Sequence, residues 1–198
     1  MSVSIDDIKK LKALTGIGLT DAKVALVEAD GNFDKALEAL RKKGVTKAEK
    51  KGDRETREGI IESYVHSNRI GVVVEVNCET DFVARLPEFK EFAHQMAMQI
   101  AAFSPQYSTI EDIPTDVYEA KKKELLESDA LKGKPAEMAE KIVEGQLKKH
   151  FAEQVLAEQP YVLDDSRTVS ERIKEQITLN GENIRVSQWK RIELGVTE

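Results

Sequence analysis

The chain has 198 residues, 40% of them hydrophobic, with 30 Lys and Arg against 36 Asp and Glu and a net charge of −6. That is enough chain, and enough Ile, Leu and Val, to build one ordinary domain or two small ones around a buried core, which excludes a disordered protein. Apolar runs such as Gly71-Val72-Val73-Val74 fall far short of the ~20 residues of a bilayer span, nothing resembles a signal peptide, and Cys78 with only His66, His94 and His150 to help supports neither an internal disulfide nor a Cys-rich zinc site. The expectation is a soluble, cytoplasmic protein with no membrane partner and no structural metal.

The first helix is predicted from Ser4, a capping residue, with Ile5, Ile8, Leu11 and Leu14 at helical spacing and Asp7 where a capping-box acid belongs. Thr15-Gly16-Ile17-Gly18 breaks it. Thr20 is placed to cap a second helix carrying Ala22, Ala25, Leu26 and Ala29, which Asp30-Gly31-Asn32 ends. A third, with Phe33, Ala36, Leu37 and Leu40, is expected to stop at Gly44. Together these predict a compact three-helix module over residues 1–45.

Residues 46–58 read as a charged linker. The stretch 41–57 holds eight basic and three acidic side chains, but it has no aromatic for base stacking and its acids interrupt the field. A solvated connector is therefore favoured over an RNA contact, and the net acidity argues against nucleic acid as a direct partner.

From Gly59 the period changes to two. Ile70, Val72, Val74 and Val76 alternate with Gly71, Val73, Glu75 and Asn77, and residues 59–66 supply a partner strand across a Ser67-Asn68 turn. Pro87 suits the first turn of a helix whose stripe is Phe89, Phe92, Ala93, Met96, Ile100 and Phe103. Further helices are expected at 115–128 and 136–158, another from Thr168, and a third strand over 184–194. The predicted class is α+β: a three-helix module, then a body over 59–198 with a three-stranded antiparallel sheet packed by helices.

Between the second strand and the Pro87 helix lies Cys78-Glu79-Thr80-Asp81-Phe82-Val83. Phe82 has two readings there, a core residue folded back onto the Phe89 and Phe92 face or an exposed contact. Cys78, His66, His94 and Asp81 include the residue types of a thiol hydrolase, but Glu79 and Asp81 beside the thiol raise its pKa, and no phosphate-binding loop of the GxxxxGK type occurs.

Two motifs carry a resemblance. Leu11 to Leu26, with Thr15-Gly16-Ile17-Gly18-Leu19-Thr20-Asp21-Ala22 at its centre, resembles the opening signature of the elongation factor Ts family in its ubiquitin-associated-like three-helix module. Glu75-Val76-Asn77-Cys78-Glu79-Thr80-Asp81-Phe82-Val83-Ala84 is similar, almost residue for residue, to the family's core signature. Lys141 to Gly145 and Glu158 to Tyr161 extend the likeness, which runs from about residue 4 to 195 and resembles the family's short form.

The resemblance implies a guanine-nucleotide exchange factor for elongation factor Tu that does no covalent chemistry and has no cofactor of its own, acting on GDP and Mg²⁺ held by its partner. It implies that Thr80, Asp81, Phe82 and Val83 enter the partner near its nucleotide, the Phe as a wedge and the Asp disturbing the Mg²⁺ site. It further implies that Lys12, Leu19 and Thr20 touch the partner's GTPase domain. Many members have Met at the last two positions, and Thr20 is polar. The short form also implies a homodimer in a two-to-two complex. The alternative is a ubiquitin-associated-like adaptor without exchange activity, for which the Asn77 to Val83 loop would have no use.

Overall fold

The computed structural model describes residues 3–15, 17–128 and 136–196; Gly16 of the predicted helix break lies outside them. The first helix, α1 (Ile5–Thr15), starts as its sequence suggests, the Asp6 N–H donating to Ser4 Oγ at 3.2 Å. Its apolar face is narrower than the spacing implies. Leu11 is buried and Ile8 half-buried, whereas Ile5 and Leu14 are exposed.

The second helix, α2 (Leu19–Glu28), is capped by Gly18 and not by Thr20. Because the Gly18 carbonyl already accepts the Ala22 N–H at 3.0 Å, the helix has begun before Thr20, which sits exposed in its first turn. The Gly31 N–H then closes on the Leu26 carbonyl at 2.8 Å, with Gly31 at a φ of 80° that favours glycine. Asn32 caps α3 (Phe33–Glu49) by accepting the Lys35 N–H at 3.0 Å. Leu11, Ala22, Ala25, Leu26, Ala36 and Leu40 form this module's own core.

The third helix does not stop at Gly44, so the charged linker expected over 46–58 begins as helix. A glycine inside a helix costs ~1 kcal/mol relative to alanine. That cost is offset because Ala48, a turn further on, is 2% exposed in the core of the body. The rest of the stretch is also tied down: Lys51 Nζ donates to the Gly181 carbonyl, and Asn183 Nδ2 donates to the carbonyls of Gly52 at 3.1 Å and Arg54 at 2.8 Å.

The body is an antiparallel sheet of order β1 (Glu58–His66), β2 (Ile70–Cys78), β5 (Arg185–Glu193). Residues 67–69 connect the strands, Ser67 and Asn68 both taking positive φ and the Arg69 N–H closing on the His66 carbonyl at 2.9 Å. Val72, Val74, Val76 and Cys78 face inward and are fully covered. Against them lies α5 (Pro87–Phe103), burying Phe89, Phe92, Ala93, Met96, Ala97 and Ile100; Phe103, at its last turn, is 41% exposed. The helix α8 (Val169–Asn180) closes the same core with Val169 and Ile177 and packs along α3.

Gly59 has a backbone reason for its identity. A Cβ there would come within 2.2 Å of the Val76 carbonyl oxygen and 2.8 Å of Asn77 Cα, at a φ of 151°.

The antiparallel pair α6 (Thr115–Leu126) and α7 (Ala136–Ala152) has a separate core of Ile113, Val143, Leu147, Phe151 and Val155. The helix predicted over 136–158 ends at Ala152. There the Gln154 carbonyl accepts the N–H groups of Gln106 and Tyr107, and the Leu156 N–H donates to the Tyr107 carbonyl, so residues 106–108 take the bonds a longer helix would make. A small hairpin of β3 (Pro160–Tyr161) and β4 (Asp164–Thr168) precedes α8. No helix among the described residues is long and apolar enough to cross a membrane.

Candidate partner-binding site

Strand β2 ends at Cys78, and within three residues the chain turns into α4 (Asp81–Ala84), a single helical turn. Thr80 is its N-cap, its Oγ accepting the Val83 N–H at 3.5 Å. One helical turn spaces its residues ~100° apart, so they cannot all face one way. Val83 and Ala84 go down into the main core at 7% and 6% exposure. Phe82 goes out. It is 78% exposed, the most exposed of the large hydrophobic residues among those described.

The alternatives for Phe82 are thus resolved in favour of an exposed aromatic, and the four predicted loop residues separate into two kinds. Thr80 and Val83 build the turn. Asp81 and Phe82 project from it, with Asp81 Oδ2 2.8 Å from the Arg85 guanidinium, an exposed pair worth little to stability.

The turn is held from behind by the connection between α8 and β5. Glu182 Oε2 accepts the N–H groups of Glu79 and Thr80, each at 3.0 Å, while Thr80 Oγ donates to Glu182 Oε1 at 2.6 Å. In return the Asn183 N–H donates to Glu79 Oε1 at 2.6 Å. Neither Glu182 nor Asn183 stands out in the sequence, where only the Asn180-Gly181 turn marks the region.

Cys78 is fully buried and its Sγ donates to the Thr80 carbonyl at 3.2 Å. Burial, with the Glu182 charge adding to it, pushes the thiol pKa up to about 11. Such a sulfur is protonated near neutrality and is no nucleophile. The histidines are bonded to other groups: His94 Nδ1 lies 3.2 Å from Glu62 Oε1, His66 Nδ1 is 2.9 Å from the Tyr64 hydroxyl, and His150 Nε2 is 3.5 Å from Gln154 Nε2. The thiol-hydrolase reading has no constellation to stand on among the described residues.

The module residues Lys12, Leu19 and Thr20 are all exposed, Leu19 at 51%. Lys12 lies in the last turn of α1 and the other two open α2, so they flank the turn between those helices. Ile17, Gly18 and Asp21 of the same turn line a cleft with Lys50, Lys51 and Arg54 on its other side. Arg54 Nη1 reaches Glu79 Oε1 at 3.5 Å, which connects that cleft to the base of the Phe82 turn.

A comparison with known families matches residues 27–196 to the one described as Elongation factor TS. The chain belongs to the elongation factor Ts family. It is 54% identical over 196 residues to elongation factor Ts of Thermotoga neapolitana, 98% of each chain being covered, and 53% identical to that of Thermotoga maritima over the same shares. Elongation factor Ts of Thermodesulfovibrio yellowstonii is 45% identical over 198 residues, covering 100% of this chain and 99% of its own. Membership places the chain among the elongation factors of protein synthesis. The matched span 27–196 includes the turn that carries the exposed Phe82.

Proposed function

We propose that the chain binds elongation factor Tu carrying GDP and speeds release of the nucleotide, with Phe82 as the inserted side chain. The observation that carries this reading is an apolar ring 78% exposed on a turn whose backbone is capped, bonded and anchored in the core. Burying a large apolar side chain in a partner is worth about 2–3 kcal/mol, and each tenfold loss of nucleotide affinity requires ~1.4 kcal/mol of contact made preferentially with the nucleotide-free partner. One ring is therefore of the right size for a wedge. By reciprocity, GDP weakens the grip of this chain on its partner by the same factor.

Asp81 stands next to the wedge, where its charge disturbs the Mg²⁺ held with the nucleotide. Mg²⁺ and GDP are the partner's; this chain contributes no cofactor and forms no covalent bond, and it works in the cytoplasm without contacting nucleic acid. Lys12, Leu19 and Thr20 give a second foothold on the GTPase domain. Stopped-flow release of a fluorescent GDP tests the proposal. Elongation factor Tu mixed with the chain should lose GDP faster, in a way that saturates with concentration. Binding with no acceleration would leave the adaptor reading instead.

We also propose that the chain works as a homodimer, covering the sheet face turned away from α5. That face carries Ile61, Val65, Val73 and Ile192, exposed at 73%, 63%, 48% and 73%, with Gly71 between Val65 and Ile192 in the register. An open apolar sheet face of this kind favours a second copy. Light scattering should give twice the chain mass of 22.2 kDa, and the monomer mass at micromolar concentration would remove the claim.

A further inference from the structure

We infer that Glu182 is a positioning residue for exchange: its carboxylate fixes the backbone from which Phe82 projects. The inference rests on the function proposed above and adds a residue, a hundred positions away in the chain, that the family motif does not contain.

An aromatic ring 78% exposed has almost no packing of its own to hold it, so its direction is set by the backbone on either side. On the C-terminal side, Val83 and Ala84 supply that control by burial. On the N-terminal side the control is polar. Glu182 accepts two consecutive backbone N–H groups, of Glu79 and Thr80, and one hydroxyl, of Thr80. Hydrogen bonds to a carboxylate are stronger than neutral ones, and three on one group fix both of its oxygens.

The Thr80 hydroxyl links the carboxylate to the turn. With its proton on Glu182 Oε1, its oxygen lone pairs are free for the Val83 N–H, which is the cap of α4. The charge on Glu182 therefore orients the group that closes the turn around Asp81 and Phe82. Glu182 is itself held in place. Its neighbours Asn183 and Ile184 are each 2% exposed, and Asn183 is bonded to Gly52, Arg54 and Glu79. Among the described residues, the three hydrogen bonds of the Glu182 side chain go to residues 79 and 80, beside the projecting pair.

A complex formed through the remaining surface would still assemble if this clamp were loosened, but the ring would spend less of its time in the productive position. The deficit should appear in the saturated rate of GDP release more than in the concentration needed to reach it.

The test compares five full-length proteins by stopped-flow GDP release from elongation factor Tu: the natural chain, Phe82→Ala, Glu182→Ala, Glu182→Gln and the double variant Phe82→Ala/Glu182→Ala. Glu182→Ala should lower the saturated rate about tenfold while moving the half-saturating concentration less than about threefold. Glu182→Gln, which keeps an oxygen for the backbone amides, should recover part of the loss. Because Glu182 acts through the ring, the double variant should be no slower than Phe82→Ala alone. The inference is overturned if Phe82→Ala slows exchange while Glu182→Ala does not, or if the two losses multiply. It is overturned equally if the Glu182→Ala loss matches only the unfolded fraction seen by circular dichroism; should that variant fail to fold, Glu182→Gln at the natural rate overturns it. A Phe82→Ala protein with the natural rate overturns the underlying function whatever Glu182 does.

Discussion

Phe82 and Phe92 lie ten positions apart and differ in everything that decides the cost of losing a ring. Phe92 is fully buried against the sheet, so Phe92→Ala should cost ~3–5 kcal/mol. Phe82→Ala should stay within ~0.5 kcal/mol of the natural chain in thermal or denaturant unfolding, as surface substitutions do. Cys78 offers a second check at this scale. Its thiol is raised from an ordinary 9.0 to about 11, so the folded state holds the proton more tightly than the unfolded one. The associated stability is complete below pH 9 and is lost as pH rises toward 11, by about 2–3 kcal/mol in all. Urea unfolding at pH 8 and pH 11 should show the natural chain losing that much more than Cys78→Ala. At pH 8 the substitution itself should cost ~1 kcal/mol and leave exchange intact. Equal alkaline losses in the two proteins would place the thiol in an ordinary environment.

Among the elements, the β1 and β2 hairpin matters most, because β2 delivers the chain directly into the Phe82 turn. A Cβ at Gly59 has no space beside Val76 and Asn77, both backbone neighbours that cannot swing aside. Gly59→Ala should therefore cost about 3 kcal/mol or more in urea unfolding, and a cost under ~1 kcal/mol would mean that the strands separate more easily than their register suggests. This hairpin was legible in the sequence because alternation over Ile70 to Val76 and the Ser67-Asn68 turn are local signals. The α5 stripe was legible for the same reason. What could not be read locally were features decided at a distance. Gly44 looked like a helix end, but Ala48 finds the body's core and carries α3 through it. Residues 153–158 looked helical, but residues 106–108 take their backbone bonds. The site divides in the same way. The motif pointed to Thr80 through Val83, while the inward turn of Val83 and the clamp from Glu182 depend on contacts that span the core and a hundred residues of chain.

Across the whole molecule, the three-helix module is not a loosely tethered attachment. Helix α3 passes from the module's core into the body's, and the following residues are bonded to Gly181 and Asn183. The two proposed footholds are thereby kept in a fixed relation, with the cleft at Arg54 between them. Removing one foothold should weaken binding without slowing the bound complex: Lys12→Ala with Leu19→Ala should raise the half-saturating concentration several-fold, by about 1 kcal/mol, and leave the saturated release rate unchanged. An unaltered half-saturating concentration would take the module out of the contact. The central claim, that an exposed aromatic on a rigid turn drives nucleotide release, is tested most directly by the saturated rate at which GDP leaves elongation factor Tu in the presence of Phe82→Ala. The account predicts a strongly reduced rate from a protein that melts at the natural temperature. A rate equal to that of the natural chain, from a variant equally well folded, would contradict it.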